Sequence, residues 1–174
     1  MLGNSAWGAK TVKAGNRATI PRIRLISGRN SPVYSYGDKV VKGVAPHTLG
    51  DTILRIWNER VSALRQKFKH LRTIVLIKSN DLLTLCVFEF DTILYDPALF
   101  TWSWNNKGNL EGFDRNKQHR FTWQPHGSQF TIIETVPPKS LIIELKEPPH
   151  LQKDEVLDSL GFDSSWITVR RRDG

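Results

Sequence analysis

The stretch SLIIELKEPP, residues 140–149, ends an apolar run with Glu144 and Lys146 two positions apart. In an extended strand alternate side chains share a face, so Ile142, Glu144 and Lys146 are expected on one side and Leu141, Ile143 and Leu145 on the other. A carboxylate and an ammonium so placed suit phosphodiester hydrolysis. Carboxylate oxygens hold the hard cation Mg²⁺, and the lysine polarises the attacking water and offsets charge in the transition state. The metal needs a second carboxylate, and Glu134, at the end of the preceding strand, is the nearest in sequence. The catalytic expectation is therefore Glu144, Lys146 and Glu134, with Mg²⁺ held by Glu144 and Glu134. The competing reading is a strand that simply runs out into solvent.

Several elements would have to position such a site. Residues 48–68 read as a helix, opened by Thr48 with Asp51 three residues on, and striped by Ile53, Trp57, Val61, Leu64 and Phe68. Two apolar strands, 72–78 and 82–91, are separated by the polar Ser79-Asn80-Asp81, which predicts an antiparallel hairpin. In residues 129–146 the short TVPPK connection likewise predicts a hairpin between two strands. A short helix over 153–161 and a last strand, SWITVRR, complete the order. One domain is expected over 1–174, with a basic segment at 1–46 and a helix-plus-sheet body at 47–174.

The charge distribution points to a polyanionic partner. The formal net charge is +8 in 174 residues, and clustered Lys and Arg gain affinity for nucleic acid by releasing counterions from phosphates. The segment from Lys10 to Lys42 is the most one-sided. In it RIRLIS predicts a strand with Arg22 and Arg24 on the wet face, followed by a turn that projects Arg29, Asn30 and Ser31. Lys10 and Lys13 add phosphate-seeking charge. Trp102, Trp104 and Trp123 are expected as packing residues rather than stacking platforms. Between them, NNKGN offers Asn106 and Lys107, and QPHGSQ offers Gln124, His126 and Gln129. These side chains match the donor and acceptor edges of bases, although ordinary turns use the same residue types.

Other chemistry is missing from the sequence. It holds no Gly-rich loop ending in Lys-Ser or Lys-Thr, no HExxH and no GxSxG. The five histidines show no metal-ligand spacing, and the single cysteine, Cys86, lies inside an apolar run where it can form no internal disulfide. A reducing, cytoplasmic setting is expected. No stretch approaches the roughly 18 apolar residues of a membrane span, and the first residues lack the apolar core of a secretory signal.

The strand motif IIELK, with the order of helix and strands around it, resembles the PD-(D/E)XK nuclease superfamily, which includes many type II restriction endonucleases. The resemblance implies an α+β fold, with a mixed, largely antiparallel central sheet flanked by helices. It also implies Mg²⁺-dependent cleavage of duplex DNA, Glu144 as metal ligand and Lys146 as the residue orienting water. Pro-Asp ahead of the motif, usual in that family, is replaced by Ile133-Glu134. A second placement competes, in which Lys10 of SAWGAK is the motif lysine and Gly8 stands where the family has its acid. That placement implies an inactivated nuclease, an engineered substitution or a fragment. Duplex cutters commonly act as two-fold homodimers, since one site addresses one strand. A non-catalytic DNA-binding module and an RNA-binding protein remain the alternatives.

Overall fold

A computed structural model describes residues 4–15, 18, 20–29, 43–146 and 153–161. The chain divides into two compact units, residues 1–144 and 145–174. The first is α+β. Its strands are β1 (Ser5–Lys13), β2 (Arg22–Arg29), β3 (His70–Lys78), β4 (Thr84–Asp91), β5 (Thr101–Trp104), β6 (Leu110–Phe113), β7 (His119–Gln124), β8 (Gln129–Thr135) and β9 (Leu141–Glu144). Helix α1 (Pro46–Arg65) lies between β2 and β3. Of the second unit, the described element is α2 (Lys153–Ser159), which stops before Gly161 at φ 68°. That agrees with the short helix expected over 153–161. The expected last strand, SWITVRR, lies outside the described residues.

The strands form two sheets rather than the single central sheet expected from the sequence. One is four-stranded, in the order β1-β3-β4-β9, and the other five-stranded, in the order β2-β8-β7-β6-β5. Strands β3 and β4 form the expected antiparallel hairpin, and β1 runs parallel to β3, so α1 belongs to a crossover connection. The expected hairpin of β8 with β9 does not form, because β8 pairs with β2 and β7 while β9 pairs with β4. Val136 N donates to Pro21 O at 3.0 Å, so the chain stays paired on the β2 side up to Pro137, and the turn that follows, closed by Ser140 N on Pro137 O at 3.1 Å, leads into the pairing of β9 with β4.

Two core clusters hold these elements together. Ile23 and Leu25 of β2 meet Val75, Ile77, Cys86 and Phe88 of the four-stranded sheet in one core cluster. Leu49, Ile53 and Leu54 of α1 meet Trp102, Leu110, Phe121, Trp123, Phe130 and Ile132 in the other. Trp102 and Trp123 are thus core residues, as expected, whereas Trp104 is 40% exposed. The helix starts two residues earlier and ends three earlier than the expected 48–68. Its N-cap is Ala45, with no side-chain capping bond, and Pro46 supplies a pre-set φ at the first turn. Thr48 lies inside the helix, where its carbonyl accepts from the Thr52 hydroxyl at 2.8 Å. Leu64 is 44% exposed and Phe68 lies beyond the helix end, so the buried stripe is shorter than its period suggested.

Candidate nucleic-acid interface

Strand direction gathers most of the expected DNA-binding residues onto one sheet. In the antiparallel run β5 to β8, the β5–β6 turn (105–109) and the β7–β8 turn (125–128) fall at the same end, two strands apart, a spacing of about 10 Å. The end of β2 lies there as well, since Arg29 is in register with Gln129. Asn106, Lys107 and His126 are exposed at the tips. Gln124 and Gln129 face one another across the base of the second turn. Nothing is described of the Arg29 side chain, and Asn30 and Ser31 lie outside the described residues.

Both turns are built to hold this shape. Asn105 Oδ1 accepts from the amides of Lys107 at 2.9 Å and Asn109 at 3.0 Å, and its Nδ2 donates to Glu111 at 2.7 Å. Gly108 takes the left-handed conformation the turn needs, φ 72°. In the second turn Gly127 and Ser128 both have positive φ, 82° and 51°, and the Ser128 amide donates to Pro125 O at 3.2 Å. Asn105 is therefore a structural member of NNKGN, whereas Asn106 and Lys107 face outward.

The face of the five-stranded sheet away from the two core clusters carries Arg22 and Arg24, while its middle, Thr122, Thr131 and Ile133, is buried. Arg22 and Arg24 are exposed while Ile23 and Leu25 between them are buried, the alternation expected of RIRLIS. Arg24 donates to Thr122 Oγ1 of β7 at 2.9 Å and Arg22 donates to the His119 carbonyl. Both guanidinium groups thus lie flat across β8, on the face that carries Gln124 and Gln129. Lys10 and Lys13 are on β1 of the four-stranded sheet, where Lys10 lines a hollow with Arg24, Leu25 and Gly28 of β2.

The residues expected to hold Mg²⁺ are not brought together. Glu134 is on β8 of the five-stranded sheet and Glu144 is at the exposed end of β9, an edge strand of the four-stranded sheet. Lys146 is exposed and follows the strand end. Glu134 accepts from the Tyr95 hydroxyl at 3.2 Å and has Arg120 at 3.6 Å. Among the described residues no group of three His, Cys, Asp or Glu side chains is placed to hold a metal. Lys10 instead lines a cavity of about 110 Å³ with Thr73, Asp91 and Tyr95. Gly8 is in register with Thr73, and among the described residues a Cβ there would meet Thr73 Oγ1 alone within 4 Å, at 3.6 Å.

Arg120 and Tyr95 carried no signal in the sequence. A register shift between β6 and β7 pairs Gly112 with Phe121 and Phe113 with His119, leaving Arg120 unopposed. Such a bulge re-aims a side chain, and here it accompanies the contacts of Arg120 with Glu134 and Asp114. Burial, reinforced by the Glu134 carboxylate, pushes the Tyr95 hydroxyl well above its usual range. A raised folded-state pKa contributes stability that is full below the unfolded value of about 10 and is lost as pH rises through the folded value. Tyr95→Phe is therefore expected to be less stable than the parent by about 1 kcal/mol at neutral pH, with that gap closing above pH of about 10. Thermal midpoints of both proteins from about pH 8 to 11 check this; a gap independent of pH contradicts it.

Asp81, in the β3–β4 turn, shows the opposite shift. The Ser79 hydroxyl, and then the Leu83 amide at 3.0 Å, donate to its carboxylate and hold it below the usual range. This aspartate organises the turn.

Comparisons with protein-family models, curated proteins and solved structures returned no match. No helix among the described residues is long and apolar enough to cross a membrane.

Proposed function

We propose that this chain is a sequence-reading, duplex-DNA-binding module whose binding surface is the turn end of the five-stranded sheet with the exposed arginines of β2. The observation that carries this reading is that both polar turns fall at one end of the sheet whose strand β2 carries the exposed Arg22 and Arg24. A two-stranded β-ribbon fits the major groove of B-DNA. The β7–β8 hairpin is no free ribbon, since β2 and β6 flank it, but its turn end stands at the sheet's edge, with Gln124 and Gln129 paired near the tip and His126 in the turn. In this arrangement the glutamines meet base edges, while Lys107, Arg22 and Arg24 meet phosphates on either side. Metal-dependent cleavage at Glu144 has weaker support, since Glu134 is engaged on another sheet; no hydrolytic step is assigned.

The test is a fluorescence-anisotropy titration of a mixed-sequence duplex over a range of salt. Affinity is expected to fall linearly in the logarithm of salt concentration. In Arg22→Ala/Arg24→Ala the slope is expected to shrink by about 0.9 for each phosphate that is no longer neutralised. An affinity indifferent to salt overturns the proposal, as does preference for single strands. Discrete Mg²⁺-dependent cleavage products that vanish in Glu144→Ala would replace it with the nuclease reading.

A further inference from the structure

Strand alternation gives the four-stranded sheet two faces. Val75, Ile77, Cys86 and Phe88 point inward and are buried with Ile23 and Leu25 of β2. If the outer face met only water, the positions between them would be mainly polar. They are not. Register carries one outward rung, Leu76, Val87 and Leu141, across three strands, with Leu85 and Ile143 in the rung beside it and Ile74 on its other side. Trp7, Ile74 and Leu141 are 47%, 40% and 60% exposed. Ile74 decides the point, because β1 and β4 flank it on both sides and only an open face leaves it so accessible. Helix α1 does not cover it, since Leu49, Ile53 and Leu54 pack in the cluster with the five-stranded sheet. A contiguous apolar face of this kind marks an interaction surface.

Size and charge fit a second copy of the chain. Three strands roughly 25–30 Å long and about 4.8 Å apart, with the shorter β9, present roughly 450 Å² in projection. Two such faces would bury on the order of 1,000 Å² of accessible surface, the least that a specific interface needs. The ends of the face are complementary as well. Lys13 and Lys78 stand side by side at one end and make no ion pair among the described residues. Toward the other end Arg72 holds Glu89 and Arg65 holds Asp91, each through one oxygen, so the second oxygen of each carboxylate still accepts. A two-fold axis lying in the interface across the strands reverses their direction and brings the lysine end of each copy over the carboxylate end of the other. Each such contact is then made twice.

We infer that the outer face of the four-stranded sheet is a dimer interface, in which two copies pack sheet on sheet about this strand-reversing two-fold. Ile74, Leu76 and Val87 form its apolar centre, and the lysine and carboxylate ends form its rim. The inference rests on this face alone and not on DNA binding, whose turns and arginines belong to the five-stranded sheet.

Sedimentation velocity over roughly 1–200 µM protein tests it, the range in which an interface of this area associates. The parent is expected to pass from monomer to dimer within that range. Ile74→Asp sets a charge in the middle of the apolar face and is expected to weaken association about a hundredfold or more, with an unchanged circular-dichroism spectrum. Trp7→Ser, on the edge strand β1, supplies a second reading if Ile74→Asp does not fold, with a loss of about tenfold. Lys13→Glu/Lys78→Glu should also weaken the dimer about tenfold, by setting acid against acid. Leu99→Ser, at an exposed apolar position away from this face, should leave it unchanged. A parent that stays monomeric throughout overturns the inference. So does a dimer indifferent to Ile74→Asp or to the lysine reversal, or one that Leu99→Ser weakens equally.

Discussion

Gly50→Ala is expected to destabilise this protein by about 3 kcal/mol or more, although alanine in the middle of an exposed helix normally gains about 1 kcal/mol over glycine. The sign reverses because of Trp102. A Cβ on Gly50 would lie 2.2 Å from Trp102 Cδ2 and 2.3 Å from Cε2, deep inside contact distance. The indole has no room to retreat. On its other side a Cβ at Gly112 would come within 2.8 Å of its ring, and Phe121 stacks against it with centroids 5.7 Å apart. The two glycines are the sides of a slot through which β5 docks on α1. At about 2–4 °C per kcal/mol for a chain of this size, the melting midpoint should fall by roughly 10 °C. Urea denaturation checks the free energy. Gly50→Ala combined with Trp102→Leu should lose less than the sum of the two single changes, since the smaller side chain relieves the overlap. Gly8→Ala is the contrasting case: its Cβ meets one hydroxyl at an ordinary distance, so little change is expected. An unchanged or raised midpoint in Gly50→Ala would contradict the packing described for α1.

Gln124→Ala/Gln129→Ala is expected to reduce discrimination between DNA sequences by about tenfold or more, because each bidentate hydrogen-bonded pair with a base edge is worth about 1–3 kcal/mol of discrimination. Binding to mixed-sequence duplex should change far less. The expectation follows from register: the two side chains are paired across the last rung of the β7–β8 hairpin and carry no charge, so they add nothing to the salt-dependent attraction to phosphates. Lys107→Glu should do the reverse, weakening all sequences alike and lowering the salt slope. Selection of preferred sites from a random pool by the parent and the double variant, followed by titrations on preferred and scrambled duplexes, gives the comparison. Equal losses on every sequence would make the glutamines turn-supporting residues and remove the base-reading part of the proposal.

Helix α1, the β3–β4 hairpin, the exposed Arg22 and Arg24 and the buried Trp102 and Trp123 were legible in the amino-acid sequence. Each depends on local periodicity or on a short connection, and a side chain's period of two or 3.6 is written in the few residues around it. The excess of basic charge was legible for the same reason, being a sum over residues. The division into two sheets was not, because strand partners are chosen across long separations: β1 pairs with β3 and β2 with β8, and nothing in either segment names its partner. Glu134 and Glu144 looked adjacent because ten positions and a short connection part them, but β8 pairs with β2 and β7 while β9 pairs with β4, which puts the carboxylates on different sheets. Conversely, Asn106, Lys107, Gln124, His126 and Gln129 were identified by residue type alone, and only alternating strand direction places them at one end of one sheet. The sequence by itself determined the local elements, the charge and the polar turns. Tertiary structure alone decided which turns became neighbours, that Arg120 is set opposite Glu134 by a bulge, and that Trp102 is held between two glycines, since each depends on packing between segments that carry no mark of one another.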